Sequence, residues 1–68
     1  MYTSMNLVLT RKAEDKRLLR GIKLFELEET IARGIKTRQK NAVIARYGDI
    51  SILYTKTHNA YTIISIVH

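Results

Sequence analysis

The sequence predicts a single α+β domain over residues 1–68: a strand, two helices, then a three-stranded antiparallel meander, with both helices on one sheet face. Three observations predict it. Apolar residues recur at intervals of three and four through Leu24, Leu27, Ile31 and Ile35, and then at intervals of two beyond Asn41. Glycines stand at 21 and 34, where helices would end. A Gly48-Asp49 pair separates two apolar alternations, as a hairpin turn would. No proline, repeat or low-complexity tract divides the chain.

The elements follow in order. Met5 to Leu9 is short and apolar and reads as the first strand. Thr10 offers a hydroxyl N-cap to a basic helix, with Glu14 and Asp15 near its positive end and Gly21 closing it after Arg20. The second helix buries the stripe Leu24, Leu27, Ile31 and Ile35. Glu26, Glu28 and Glu29 crowd its early turns, and Gly34 is its C-cap; Lys23 is a poor N-cap. Three β-rich segments follow, within 41–47, 50–56 and 60–67. Gly48-Asp49, with Gly first, suits a type II′ turn, which sets Tyr47 opposite Ile50, Ala45 opposite Ile52 and Val43 opposite Tyr54. A second turn near Asn59, which tolerates positive φ, sets Lys56 opposite Tyr61, Tyr54 opposite Ile63 and Ile50 opposite Val67.

That register gives the sheet two apolar faces. Val43, Ala45, Tyr47, Ile50, Ile52, Tyr54, Tyr61, Ile63 and Val67 form the larger, which the helices cover. Ala42, Ile44, Leu53, Ile64 and Ile66 form the other, edged by Arg46, Ser51, Thr55, Thr62 and His68. Two short helices cover only one face, so the second predicts self-association or a partner chain through the sheet. Size points the same way. A domain near 60 residues buries only about 60% of its unfolded surface and commonly needs a disulfide, a metal or a second subunit. There is no cysteine, and His58 and His68 have no carboxylate pair beside them, so a homodimer is the expected support and no metal or cofactor is expected. The absence of cysteine, of a signal-like leader and of any apolar run near the ~18 residues of a membrane span predicts a cytoplasmic protein without a membrane partner.

Twelve Lys and Arg against six Asp and Glu give a net charge of +6, which favours a polyanion and above all nucleic acid. A solubilising surface is the plain alternative. The excess is uneven: residues 35–68 hold five cations and one carboxylate. Lys12, Lys16 and Arg20 recur every four residues and form a ridge that could follow a phosphate backbone, with Arg17 beside it and Leu18, Leu19 and Ile22 toward the core. Lys36, Arg38 and Lys40 share one side if that segment is extended, and with Arg46 they would join the ridge in a single positive surface. Tyr47, Tyr54 and Tyr61 could stack on unpaired bases, but tyrosines on an apolar strand face are more often core or dimer residues. For catalysis the sequence shows no well-placed base and acid. His58 reads as an exposed turn residue, and no phosphate-binding loop, dinucleotide pattern or nucleophile elbow is present.

Lys12-Ala13, Lys16, Arg20-Gly21-Ile22, Leu27, Ile31 and Gly34 carry a resemblance. They are similar to the signature of a family of small uncharacterised domains that begins His-Ala, reaches an Arg three residues later, and continues Arg-Gly-Ile into an amphipathic helix ending in Gly. Those domains look like distant relatives of the RelE/ParE and BrnT toxin fold, whose members include ribosome-dependent mRNA interferases and gyrase poisons and commonly sit beside a small antitoxin. The resemblance implies a RelE-like fold, a toxin-type module engaging RNA or a nucleoprotein surface, and an antitoxin-like partner. Lys12 stands where the family has His and Lys16 where it has Arg, so a ribonuclease role resting on an imidazole is lost. The resemblance therefore supports the fold more than an activity. The other reading is a non-catalytic homodimer that binds DNA or a protein through the second sheet face.

Overall fold

The computed structural model describes residues 6–67. It is α+β, with β1 (Leu7–Leu9), α1 (Arg11–Arg20), α2 (Leu24–Arg33), β2 (Ile35–Gln39), β3 (Ala42–Tyr47), β4 (Ile50–Lys56) and β5 (Tyr61–Ile66). The strands form one mixed sheet in the order β1-β5-β4-β3-β2. The expected three-stranded meander is thus corrected to four antiparallel strands, β2 to β5, with β1 added in parallel to β5. Met5, placed in the first strand by the sequence, and His68, placed at an edge of the second sheet face, lie outside the described residues. No helix among the described residues is long and apolar enough to cross a membrane.

Local chemistry sets the helix ends. The Thr10 hydroxyl accepts from the Ala13 N–H at 3.2 Å. Gly21 adopts the left-handed conformation at φ 69°. Its N–H donates to Leu18 O at 3.2 Å and that of Ile22 to Arg17 O at 2.9 Å, the paired bonds of a Schellman stop. At the start of α2 the Glu26 carboxylate accepts from the Lys23 N–H at 2.8 Å, half of a capping box, because a lysine side chain cannot accept in return.

Gly34 ends α2 for a different reason from the one its type suggested. Its φ is −71°, in the extended region rather than the left-handed one. A Cβ there would lie 2.8 Å from the Arg46 carbonyl oxygen and closer still to that of Thr30. The chain leaves α2 through a gap that admits backbone alone, and it is extended from Ile35 onward. Ile35 therefore cannot continue the helical stripe and stands 77% exposed, while Leu24 in the first turn is also exposed. The residues α2 buries are Leu27, Thr30 and Ile31, the Thr30 hydroxyl being satisfied by Glu26 O at 2.7 Å.

The hairpin at Gly48-Asp49 has the predicted register, with Gly48 at φ 60°. The next turn pairs Lys56 with Tyr61 and Tyr54 with Ile63 as expected. Asn59 is not at positive φ; Lys40, at φ 45°, is the only non-glycine residue there among those described. Beyond Tyr54 the register shifts by one residue, so Ile66 and not Val67 reaches the core, opposite Ile52. A bulge at Ile64 explains it. The Thr10 hydroxyl donates to Ile64 O at 2.7 Å and the Thr10 N–H to Ile63 O at 3.1 Å, so the cap of α1 is tied to the irregularity in β5.

One core joins the layers: Ala13 and Ile22 from the α1 side, Leu27 and Ile31 from α2, and Ala45, Ile52, Tyr54, Ile63 and Ile66 from the sheet. Both helices therefore pack on the larger apolar face, leaving Ile44, Leu53 and Ile64 on the face without helices. Leu18 and Leu19 do not point inward; they are 61% and 84% exposed. The cause is helical phase. At about 100° per residue from buried Ala13, Arg17 and Arg20 fall within about 40° of the inward direction, whereas Leu18 and Leu19 fall at least about 120° away.

Gly34→Ala is expected to cost about 3 kcal/mol, the upper end for forced overpacking, because both obstructing atoms are backbone. Gly21→Ala, with open space around it, should cost about 1 kcal/mol for the left-handed conformation alone. Urea unfolding checks the ranking; equal costs would contradict the close approach at Gly34.

Candidate nucleic-acid interface

The phase of α1 decides which cations meet. Lys16 and Arg20 turn toward one end of the sheet, where they line an open groove with Arg46, Gly48, Asp49, Ser51 and Val67. Lys12, Asp15, Lys16, Leu19 and Ile66 line a second groove, and Lys16 is common to both. Successive cations of the ridge are one turn apart, about 6 Å along the axis. The set Lys12, Lys16, Arg20 and Arg46 stands against Asp15 and Asp49, four positive charges to two negative. All four cations are exposed.

Arg17 does not belong to this set. Its Nε and Nη2 donate to the two carboxylate oxygens of Glu14, both at 2.8 Å, and its Nη1 donates to Ile22 O at 3.0 Å. The guanidinium thus clamps the last turns of α1 to the chain beyond Gly21. Its hydrogen bonds are the strongest influence and hold the Glu14 carboxyl below its ordinary value of 4.5; burial opposes them, and the Arg17 charge adds a smaller lowering effect. The same hydrogen bonding holds Arg17 protonated still more firmly than usual.

Lys36, Arg38 and Lys40 do not join the ridge either. α1 packs on β5 and β1, at the opposite edge of the sheet from β2. Lys36 pairs with Ala45 and Arg38 with Val43, so both lie on the helix side, whereas Arg46 has the opposite parity. Val43 is three residues from Arg46, about 10 Å along the strand. The Lys36 ammonium donates to Gly34 O at 3.1 Å. Arg38 and Lys40 line a separate groove with Asn41, Val43, Thr55 and Lys56. The single positive surface expected from the sequence is therefore two surfaces. Lys56 was missed, although its pairing with Tyr61 was a usable signal; its ammonium lies 5.6 Å from the Tyr61 ring centroid.

The tyrosines divide as well. Tyr54 is 5% exposed and meets Tyr61 at 5.8 Å between ring centroids, tilted by 58°. Burial, and secondarily Tyr61, pushes the Tyr54 hydroxyl above its ordinary value of 10.0. It is a core residue, and Tyr47 at the hairpin end is the more open ring. His58 is exposed in the turn between β4 and β5, away from the ridge. No group of three or more His, Cys, Asp or Glu among the described residues could hold a metal ion.

No family model matches the chain, and neither a curated protein nor a solved structure matches it.

Because the folded Glu14 carboxyl titrates lower than the unfolded one, its stabilising effect is complete above about pH 4.5 and fades as pH falls through the lowered value. Glu14→Gln lacks this dependence. The gap in urea midpoint between the wild type and Glu14→Gln should therefore narrow in acid; a gap unchanged down to about pH 3 would contradict the clamp.

Proposed function

We propose that this protein is a small basic module that binds single-stranded RNA, or the RNA surface of a nucleoprotein, through Lys12, Lys16, Arg20 and Arg46. The observation that carries the reading is the groove at the hairpin end of the sheet, where two cations of α1 meet Arg46. Four cations on two elements give a phosphate backbone a path with direction, which scattered surface lysines do not. The resemblance to RelE-type toxins supports the same reading, as does the order of elements, with both helices on one sheet face. A toxin-type role with an antitoxin-like partner is part of the proposal. The chemistry proposed is binding, since the imidazole of the related domains is replaced by Lys12.

RNA affinity should fall steeply with salt. Neutralising about four phosphates on a single strand gives a log–log slope near −3, and alanine at Lys16, Arg20 or Arg46 should each reduce it by about 0.7. Fluorescence anisotropy across a salt series reads this. A slope indifferent to these substitutions would remove the groove from the interface.

One further observation favours a homodimer in the same protein. The helix-free face carries Ile44, Leu53 and Ile64 across three neighbouring strands, with Val8 and Ile35 exposed toward its edges. Sheet-on-sheet packing of two such faces would remove this apolar area from water. Light scattering should then give twice the 7.9 kDa chain mass, and Leu53→Lys should return it to one. A monomer at all concentrations would refute the dimer and leave the RNA reading intact.

A further inference from the structure

The edge strand β2 has no role in the RNA groove, yet it is built as a receptor. All five of its residues, Ile35–Gln39, are exposed, and its pairing with β3 runs without a shift. Proteins commonly guard such an edge with a proline, a bulge or an inward charge. Here it is guarded only by Lys36 and Arg38, while Ile35 on the same strand is left 77% exposed. A cationic guard is selective: it repels a basic strand and admits an acidic one.

The hairpin fixes which backbone groups are open. Gln39 and Ala42 flank a two-residue loop and so form a hydrogen-bonded pair. By alternation Thr37 and Ile35 also bond toward β3, leaving the N–H and C=O of Lys36 and Arg38 directed outward. The outward backbone bonds and the two cationic side chains thus belong to the same residues. An added strand would bond at these two positions and set the residues opposite them on the same face as the cations.

We propose that β2 accepts an extended segment of another protein with acidic residues at alternate positions, adding a sixth strand to the sheet. A second copy of this chain does not fit. Antiparallel pairing of β2 with itself about Thr37 would set Lys36 opposite Arg38 of the other copy. The chain's own Glu14, Asp15, Glu26, Glu28 and Glu29 are all helical, and Asp49 lies in a turn. Nor does this inference depend on the RNA groove, which lies on other residues.

The probe is a synthetic peptide of alternating Glu and Val, roughly eight residues long, with a Lys-for-Glu version as control. Hydrogen exchange and amide shifts of the full chain are the readout. The Glu peptide should protect the Lys36 and Arg38 amides, and the Lys peptide should not. Arg38→Pro removes an outward N–H that β3 does not use, so it should abolish protection while β3 and β4 keep their own. The double variant Lys36→Glu/Arg38→Glu should weaken binding about tenfold or more and serves if the proline disturbs the hairpin. Absence of protection, or equal protection by both peptides, overturns the proposal. So does RNA protecting these amides when the Glu peptide does not, which would assign the edge to nucleic acid.

Discussion

At Gly34 the backbone passes between the carbonyls of Thr30 and Arg46 with no room for a side chain. Much of the molecule's surface chemistry depends on that passage. The Gly34 N–H still donates to Thr30 O at 2.8 Å, so α2 is closed on one side while the chain is delivered straight into pairing with β3 on the other. A residue with a Cβ would hold the two apart. Because the gap is closed, β2 starts at once beside Arg46 and becomes the outer strand. Lys36 and Arg38 are thereby carried to the helix side of the sheet while Arg46 faces the other way.

The second determinant is the small side chain of Ala13. It lets α1 approach the sheet with the Ala13–Arg17–Arg20 side inward, although Leu18 and Leu19 are far more apolar. The clamp from Arg17 to Glu14 and Ile22 holds that rotation, and it turns Lys16 and Arg20 toward the hairpin end. Two leucines are left in water as the cost of placing the cations. Leu24 and Phe25 at the start of α2 are exposed as well. Charge placement and core packing are thus settled by one rotation of one helix.

Features governed by neighbouring residues were legible in the sequence. Thr10 and Gly21 cap α1 as their chemistry demands. Gly48-Asp49 fixes a hairpin register that places Ala45, Ile52 and Tyr54 in the core, and the turn before Tyr61 adds Ile63. What depends on distant residues was not. The bulge at Ile64 answers to a Thr10 hydroxyl 54 residues away, and it moved Ile66 inward and Val67 outward. β2 escaped because every residue in it is exposed, so no alternation marks it. Of the candidate site, the residue types were visible and their grouping was not. Grouping rests on the phase of α1, where an alanine outweighed two leucines, and on strand parity, which divides Arg46 from Lys36 and Arg38.

The proposed RNA contact depends on that division of the positive charge into two separate surfaces. Mapping backbone amide shifts during titration with a short single-stranded RNA tests it most directly. It predicts changes through Lys12, Lys16, Arg20, Arg46, Ser51 and Val67, with Ile35–Gln39 unmoved. Shifts centred on β2, with α1 silent, would contradict it.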